Sequence, residues 1–426
     1  MLNSVFKGRR YSMKIEDALA IGGVGAYYWR DEEAIKRGAQ KNGFLYSGAP
    51  VTEGFKDITE PSEIVSIILF FLGNRTAIGD CCSVVYGARS GRDPLFRAAT
   101  YQPFIEQMVL PHLVNREMTS FKKMAEEVDA LEINGKPLHC AIRYGITQAL
   151  LDLAAQSRGV TMTEVICDEY RTQISERPVP IFLQAGYNWY EGVDKDILRR
   201  ANSFPHAAVN SLEKLDQLTD YITWTKNRIQ ELAGSDYVPY LHYDVYATLG
   251  IRFDNNIPKI VEHLKTWEDA AKPYKLIIEE PVDMKSKKGQ IEMMRNLIKA
   301  KNEAGLSTII CADEWCNTVE DVKDFVMADA AEMIQIKTPD MGGINNSIEA
   351  ILYCQRNGVL PYLGGSCSET DVAAKITWHI AMATQPFQTL AKPGLGIDES
   401  FQIGMNEMKR VLAIIRRRGK LYPHPR

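Results

Sequence analysis

The chain has 426 residues, 45% apolar and 24% charged, and its 50 basic and 54 acidic side chains leave a formal charge of −4. This is an ordinary globular composition. It lacks the basic block of a nucleic-acid binder, and its longest apolar run, residues 64–73, is half the length of a membrane span. At about 100–200 residues per domain, the length suits two or three domains, or one (β/α)8 barrel of about 250 residues with a smaller companion.

No signal-length apolar stretch follows the basic residues Lys7, Arg9, Arg10 and Lys14, and the eight cysteines form no CxxC pair. A cytoplasmic protein with reduced thiols is expected. Residues 1–12 show no periodicity and read as a disordered extension. Beyond them come strand-like GFLYSGAPV (43–51), EIVSIILFFLG (63–73) and SVVYG (83–87), then helical spacing at 101–112, 120–131 and 139–155. These predict an N-terminal α+β domain over residues 1–160.

From about residue 175 one unit repeats: a short Val/Ile/Leu-rich run, a polar or Gly/Pro break, then a helical segment. Eight runs read as strands: 179–186, 206–212, 238–246, 275–283, 306–314, 333–339, 360–366 and 388–394. Continuous apolar strands separated by helices imply a parallel sheet covered on both faces. Eight units predict a closed (β/α)8 barrel over residues 161–426, with a doubly wound open sheet as the competing architecture.

Chemistry in such barrels collects at the C-terminal ends of the strands. The third predicted strand ends in Asp244, the fourth in Glu279 and Glu280, the fifth in Asp313 and Glu314, and the sixth in Lys337. Three carboxylates on adjacent strand ends would repel one another without a cation, and an oxygen-rich set suits Mg2+. Each acid taken singly reads equally well as a cap on the following loop or helix. Because neighbours on a strand face opposite ways, Asp244, Glu279 and Asp313 are the expected ligands, leaving Glu280 and Glu314 to support them. Lys337 shares a strand face with Gln335. Beside a cation its pKa should fall, making it a usable base. His206 is expected to open the second strand near the mouth, and His242 to lie deeper on the Asp244 face. Gln184 and the Gly-Gly-Ser-Cys turn at 364–367 could hold a carboxylate.

Three strand-end carboxylates, a strand-six lysine and an N-terminal cap together resemble the enolase superfamily, which uses a Lys or His base with Mg2+. The longer strings FPHAAVNSLEK, DVYATLG, ADEWCNTVEDV, QIKTPDMGGINN, GGSCSET and LAKPG, with VTEGF, GRDPLF and AIRYGITQA in the first domain, resemble the methylaspartate ammonia-lyase family. The likeness runs in order from Met13 to near Arg418. It implies Mg2+ on Asp244, Glu279 and Asp313, and Lys337 as the base that takes the C3 proton of (2S,3S)-3-methylaspartate. His206 would be the base for the other C3 epimer. Gln335 would hold the metal-side carboxylate, Gln184, Ser366 and the Cys367 N–H the other carboxylate, while Tyr362 and Leu390 would line the methyl side. The product would be mesaconate with release of ammonia. A monovalent cation such as K+ and a homodimer or higher homo-oligomer are also implied.

Three departures qualify the resemblance. Arg75 stands where the family pattern is read as Gln, at a position facing the departing amino group. Glu280 replaces the usual Gly after a metal ligand, and Gln184-Ala185-Gly186-Tyr187-Asn188 replaces a string with two acids. The alternatives are a racemase or dehydratase of the same superfamily, a metal-free aldolase using Lys337 as a Schiff-base nucleophile, and a non-catalytic binder on the same fold.

Overall fold

The computed structural model describes residues 14–421 except Tyr86, Ala88, Arg89 and Tyr187. The extension expected over residues 1–12 therefore lies outside the described residues. The N-terminal region opens with β1 (Ile15–Arg30), the short α1 (Glu32–Lys36) and a hairpin of β2 (Gln40–Asn42) and β3 (Leu45–Ser47). Then come β4 (Thr59–Phe71) and β5 (Arg75–Cys81), forming an antiparallel sheet in the order β1-β4-β5. Alternation along β4 buries Val65, Ile67, Leu69 and Phe71 on one face, the pattern of a sheet covered on that side.

Two details differ from expectation. The 43–51 segment supplies only the turn, where Gly43 takes φ +61°, and the second strand of the β2–β3 hairpin, and 83–87 contains no strand among its described residues. The helices α2 (Ala98–Phe104), α3 (Phe121–Asp129) and α4 (Cys140–Arg158) follow, with a small hairpin of β6 (Glu132–Ile133) and β7 (Lys136–Pro137) before α4. Ser120 caps α3 by accepting from Lys123 N–H, and Gly159 ends α4 at φ +63°. A Thr161/Glu164 capping box starts α5 (Met162–Tyr170). The division expected at residue 160 falls at this turn, and α5 packs against both α4 and a barrel helix. Helix α4 lies directly on β5. A Cβ on Gly79 would sit 2.1 Å from the Gly145 carbonyl oxygen, and one on Gly145 would sit 2.5 Å from Cys81 Sγ.

The C-terminal region is the predicted closed parallel barrel. Its strands are β8 (Ile181–Phe182), β9 (Ser203–His206), β10 (Tyr240–Asp244), β11 (Leu276–Glu279), β12 (Ile309–Ala312), β13 (Met333–Ile336), β14 (Leu360–Leu363) and β15 (Gln388–Leu390). Between and after them run α6 (Trp189–Leu198), α7 (Leu212–Ala233), α8 (Thr248–Phe253), α9 (Ile257–Ala271), α10 (Lys287–Glu303), α11 (Val319–Met327), α12 (Ile344–Arg356), α13 (Asp371–Thr384) and α14 (Ile397–Leu421). No helix among the described residues is long and apolar enough to cross a membrane.

One strand is displaced from its expected place. The second runs over Ser203–His206 instead of 206–212, so His206 closes it at the mouth instead of opening it. The chain leaves the sheet there because His206 and Ala207 both take left-handed φ values, +66° and +56°. Inside the barrel, Phe182, Ile277, Cys311, Met333, Tyr362 and Leu390 form a packed layer below the mouth.

Candidate active site

Asp244 and Glu279 are the last residues of β10 and β11 and are paired in register, so their carboxylates emerge side by side. Asp313 and Lys337 are the first residues beyond β12 and β13. All three acids are buried. Burial, then the charge of neighbouring acids, pushes the Asp244 and Glu279 carboxyls well above the usual range. Asp313 is raised by burial, against the pull of the Lys337 charge. Buried oxygens Glu279 Oε2 and Asp313 Oδ1 make no hydrogen bond. Nitrogen and oxygen atoms of His206, Asp244 and Glu279 lie within 4.8 Å of one another. Crowded, desolvated and partly unsatisfied carboxylates fit a hard divalent cation, which would relieve their repulsion and take up the idle lone pairs. Asp313 falls outside that triad; its Oδ2 pairs with Lys337 Nζ at 2.8 Å.

That pair changes the reading of Lys337. Burial lowers its pKa, but the charge of Asp313, with Glu314 and Asp340, outweighs burial and holds the ammonium above its ordinary range. The lowered pKa expected from the sequence rested on burial and on the like charge of a cation beside the amine. The imidazoles behave oppositely. His206 is depressed to about 3 by burial and by the nearby His242 and Lys337 charges, and His242 to about 3 by burial. Both are neutral near pH 7. His206 Nε2 lies 3.4 Å from Asp244 Oδ2, and its Nδ1 lies 3.1 Å from Gln184 Nε2. His242 stacks on Phe182 with its Nε2 2.8 Å from Glu279 Oε2, at an angle that makes no hydrogen bond. Gln335 Nε2 donates to Glu279 Oε1 at 2.5 Å.

Of the outward members of the acid doublets, Glu280 supports the site from behind and Glu314 also reaches the cavity wall. Glu280, at φ +47°, accepts from Gln290 Nε2 and from the N–H groups of Asp313 and Glu314, and so fixes the turn after β12. Glu314 and Asp340 clamp Arg92, a buried arginine reaching over from the N-terminal region, at 2.5 and 2.7 Å. Nothing in the sequence patterning pointed to Arg92 beyond its place in GRDPLF.

Above the carboxylates lies an open cavity that brings together Gln184, His206, Asp244, Asp313, Gln335, Lys337, Ser366, Cys367 and Leu390. The cap contributes Val84, Val85 and Arg92 to its wall. Two expected members stand elsewhere. Tyr362 is fully buried in the layer beneath, its ring against Phe182 and His242. Arg75 is exposed, paired with Phe71 at the hairpin end of β5. At about 3.4 Å per residue the length of that strand separates it from the mouth, which the chain reaches only after the other end.

A closed parallel barrel with carboxylates ending its third, fourth and fifth strands, a lysine after its sixth and an α+β cap over the mouth is the enolase-superfamily architecture. A muconate lactonizing enzyme from Pseudomonas fluorescens shares the fold at TM-score 0.63 and 15% identity, covering 91% of this chain and 90% of that one. Residues 13–171 match the family described as Methylaspartate ammonia-lyase N-terminus, and residues 173–417 match Methylaspartate ammonia-lyase C-terminus. The chain belongs to the methylaspartate ammonia-lyase family, and it is accordingly a carbon-nitrogen lyase. It is 48% identical over 413 residues to methylaspartate ammonia-lyase 2 of Carboxydothermus hydrogenoformans, covering 96% of this chain and 100% of the relative. The Mg complex of β-methylaspartase from Clostridium tetanomorphum is 46% identical with a TM-score of 0.89, covering 95% of this chain and 100% of that one. The Citrobacter amalonaticus methylaspartate ammonia lyase containing (2S,3S)-3-methylaspartic acid superposes at TM-score 0.92 and 42% identity, with coverage of 95% and 100%.

Proposed function

We propose that this chain eliminates ammonia reversibly from (2S,3S)-3-methylaspartate to give mesaconate, with Lys337 as the base and Mg2+ held by Asp244, Glu279 and Asp313. The observation that carries the reading is that Lys337 and Asp313 pair at 2.8 Å in the wall of the same cavity that His206 and Gln184 line. Bound Mg2+ would act as a Lewis acid on one substrate carboxylate, making the neighbouring C3 proton acidic enough for an amine to remove. The chain does the rest. Lys337 must give up its hold on Asp313 and present a neutral amine. It then takes the C3 proton and becomes ammonium, the C3–H electron pair becomes the new C2–C3 π bond, and ammonia leaves from C2 with the C–N pair. Neutral His206 serves as base for the other C3 epimer.

Gln335 holds the carboxylate on the metal side, and Gln184, Ser366 and the Cys367 backbone N–H hold the other. Leu390 lines the methyl side, with Tyr362 supporting it from below. By family resemblance we also assign a monovalent activator such as K+, a homo-oligomeric state and a cytoplasmic location. Mesaconate formation, followed by its ultraviolet absorbance, should stop in excess EDTA and return when Mg2+ is restored. Full turnover in EDTA would refute the mechanism.

A further inference from the structure

Three strings of the sequence, AIRYGITQA, GGSCSET and LAKPG, also carry residues with no part in the chemistry above: their Tyr144, Glu369 and Lys392 meet in one buried cluster. Glu369 Oε1 accepts from the Tyr144 hydroxyl at 2.6 Å and from Thr338 Oγ1 at 3.1 Å. Its Oε2 accepts from Ser366 N–H at 2.6 Å and lies 2.9 Å from Lys392 Nζ. Lys392 donates in turn to the Gly364 carbonyl at 3.0 Å. Gly365 has no room for a side chain, since a Cβ there would sit 2.3 Å from both Glu369 Oε2 and Lys392 Nζ.

A fully buried ion pair adds little net stability over an apolar pair of the same size, because desolvation offsets the attraction. Apart from the Tyr144 hydroxyl, its directed contacts end on the 364–366 turn or on Thr338, the residue after Lys337. We propose that Glu369 and Lys392, with Tyr144 reaching down from the cap, are positioning residues that set the substrate-carboxylate turn and the base strand end together. The cap also holds the chain just after that turn, at Ser368 and Thr370. Asp80 Oδ2 accepts from Thr370 Oγ1 at 2.5 Å, and Ala26 N–H donates to the Ser368 carbonyl at 3.4 Å. The cap thereby sets substrate affinity through bonds that never touch substrate. This inference rests on the proposed reading of Ser366 and Cys367 as carboxylate holders.

The test is steady-state kinetics of the full-length Mg2+ enzyme carrying Tyr144→Phe, which deletes a single hydroxyl, alongside Glu369→Gln. For Tyr144→Phe, KM for 3-methylaspartate should rise about tenfold with kcat within about threefold, the signature of lost uniform binding. Mg2+ affinity by calorimetry and the thermal midpoint should stay near wild type. Glu369→Gln should raise KM further and lower kcat, and if it does not fold, Tyr144→Phe decides alone. Wild-type KM in Tyr144→Phe, or a loss of activity that only tracks the loss of folded protein, overturns the positioning role. Wild-type enzyme that forms no mesaconate would instead overturn the substrate reading.

Discussion

Replacing Lys337 with alanine tests the base and the cation site together. At 2.8 Å and an effective dielectric near 20, the Lys337–Asp313 attraction is about 6 kcal/mol gross. Most of that is offset by desolvating both groups, but removing one partner leaves Asp313 buried and unpaired, which costs about 3–5 kcal/mol of metal-free stability. Three consequences follow for Lys337→Ala. Turnover of (2S,3S)-3-methylaspartate should fall by about 10²–10⁴, the range for losing a general base. The thermal midpoint in EDTA should drop, and saturating Mg2+ should restore it, because a cation then supplies the missing charge. Mg2+ should also bind more tightly, since Lys337 no longer competes for Asp313; a net pairing energy of about 1.4 kcal/mol corresponds to a tenfold lower Kd. Mesaconate absorbance, unfolding scans with and without EDTA, and Mg2+ calorimetry read the three effects. Turnover within tenfold of wild type, or weaker Mg2+ binding, would refute the reasoning.

His206→Ala should abolish elimination from the 3R epimer while reducing the (2S,3S) rate by less than about 100-fold, and equal losses on both epimers would remove His206 as a second base. In the cap, burial raises the Asp31 carboxyl, but bonds from Thr52, Val51 and Ala34 outweigh it and hold the pKa below the ordinary value. A depressed carboxyl contributes stability above the unfolded value of about 4, and loses it as pH falls through the folded value. Asp31→Asn should therefore cost about 1 kcal/mol near neutral pH in urea unfolding, with the gap to wild type closing in acid; a gap independent of pH would contradict this. Ala247 holds φ +63° at the start of α8. Ala247→Gly should raise stability by about 0.5–1 kcal/mol, and an unchanged or lower midpoint would show the turn to be unstrained.

The strand-end acids and Lys337 were legible because parallel barrel strands are short apolar runs, and a charged residue closing each run stands out. Ser203–His206 was hidden because Ser-Phe-Pro-His has no β-branched residue, whereas the apolar Ala207, Ala208 and Val209 after it imitate a strand. β1 was missed for a related reason: Gly22, Gly23 and Gly25 interrupt its alternation, and its partner β4 supplies the register that makes it a strand. The cap's share of the cavity could not be read from any period. Val84, Val85 and Arg92 sit in irregular chain, and what brings them to the mouth is where β5 ends. Arg75 shows the same limit from the other side, since a position inferred from a motif lies at the wrong end of that strand. Lys337 follows the sixth strand, at the end where its sequence position puts it, but its charge state depends on what occupies the space beside Asp313, which no linear pattern records.

The close approach of α4 to β5 has a consequence for how the chamber is measured out. Tyr144 precedes Gly145 on α4, so the distance at which that helix rests on the sheet is also the distance its hydroxyl travels toward Glu369. The resting distance is set by two absent side chains, at Gly79 and Gly145, where any methyl group would fall inside 3 Å of its neighbours. One added carbon at either position would lift the helix by about an ångström to restore ordinary carbon contacts near 3.5–4.0 Å, enough to take a 2.6 Å hydrogen bond out of range. The missing atoms at Gly79 and Gly145 are a ruler inside the molecule, and the reach of the Tyr144 hydroxyl toward Glu369 is measured against it.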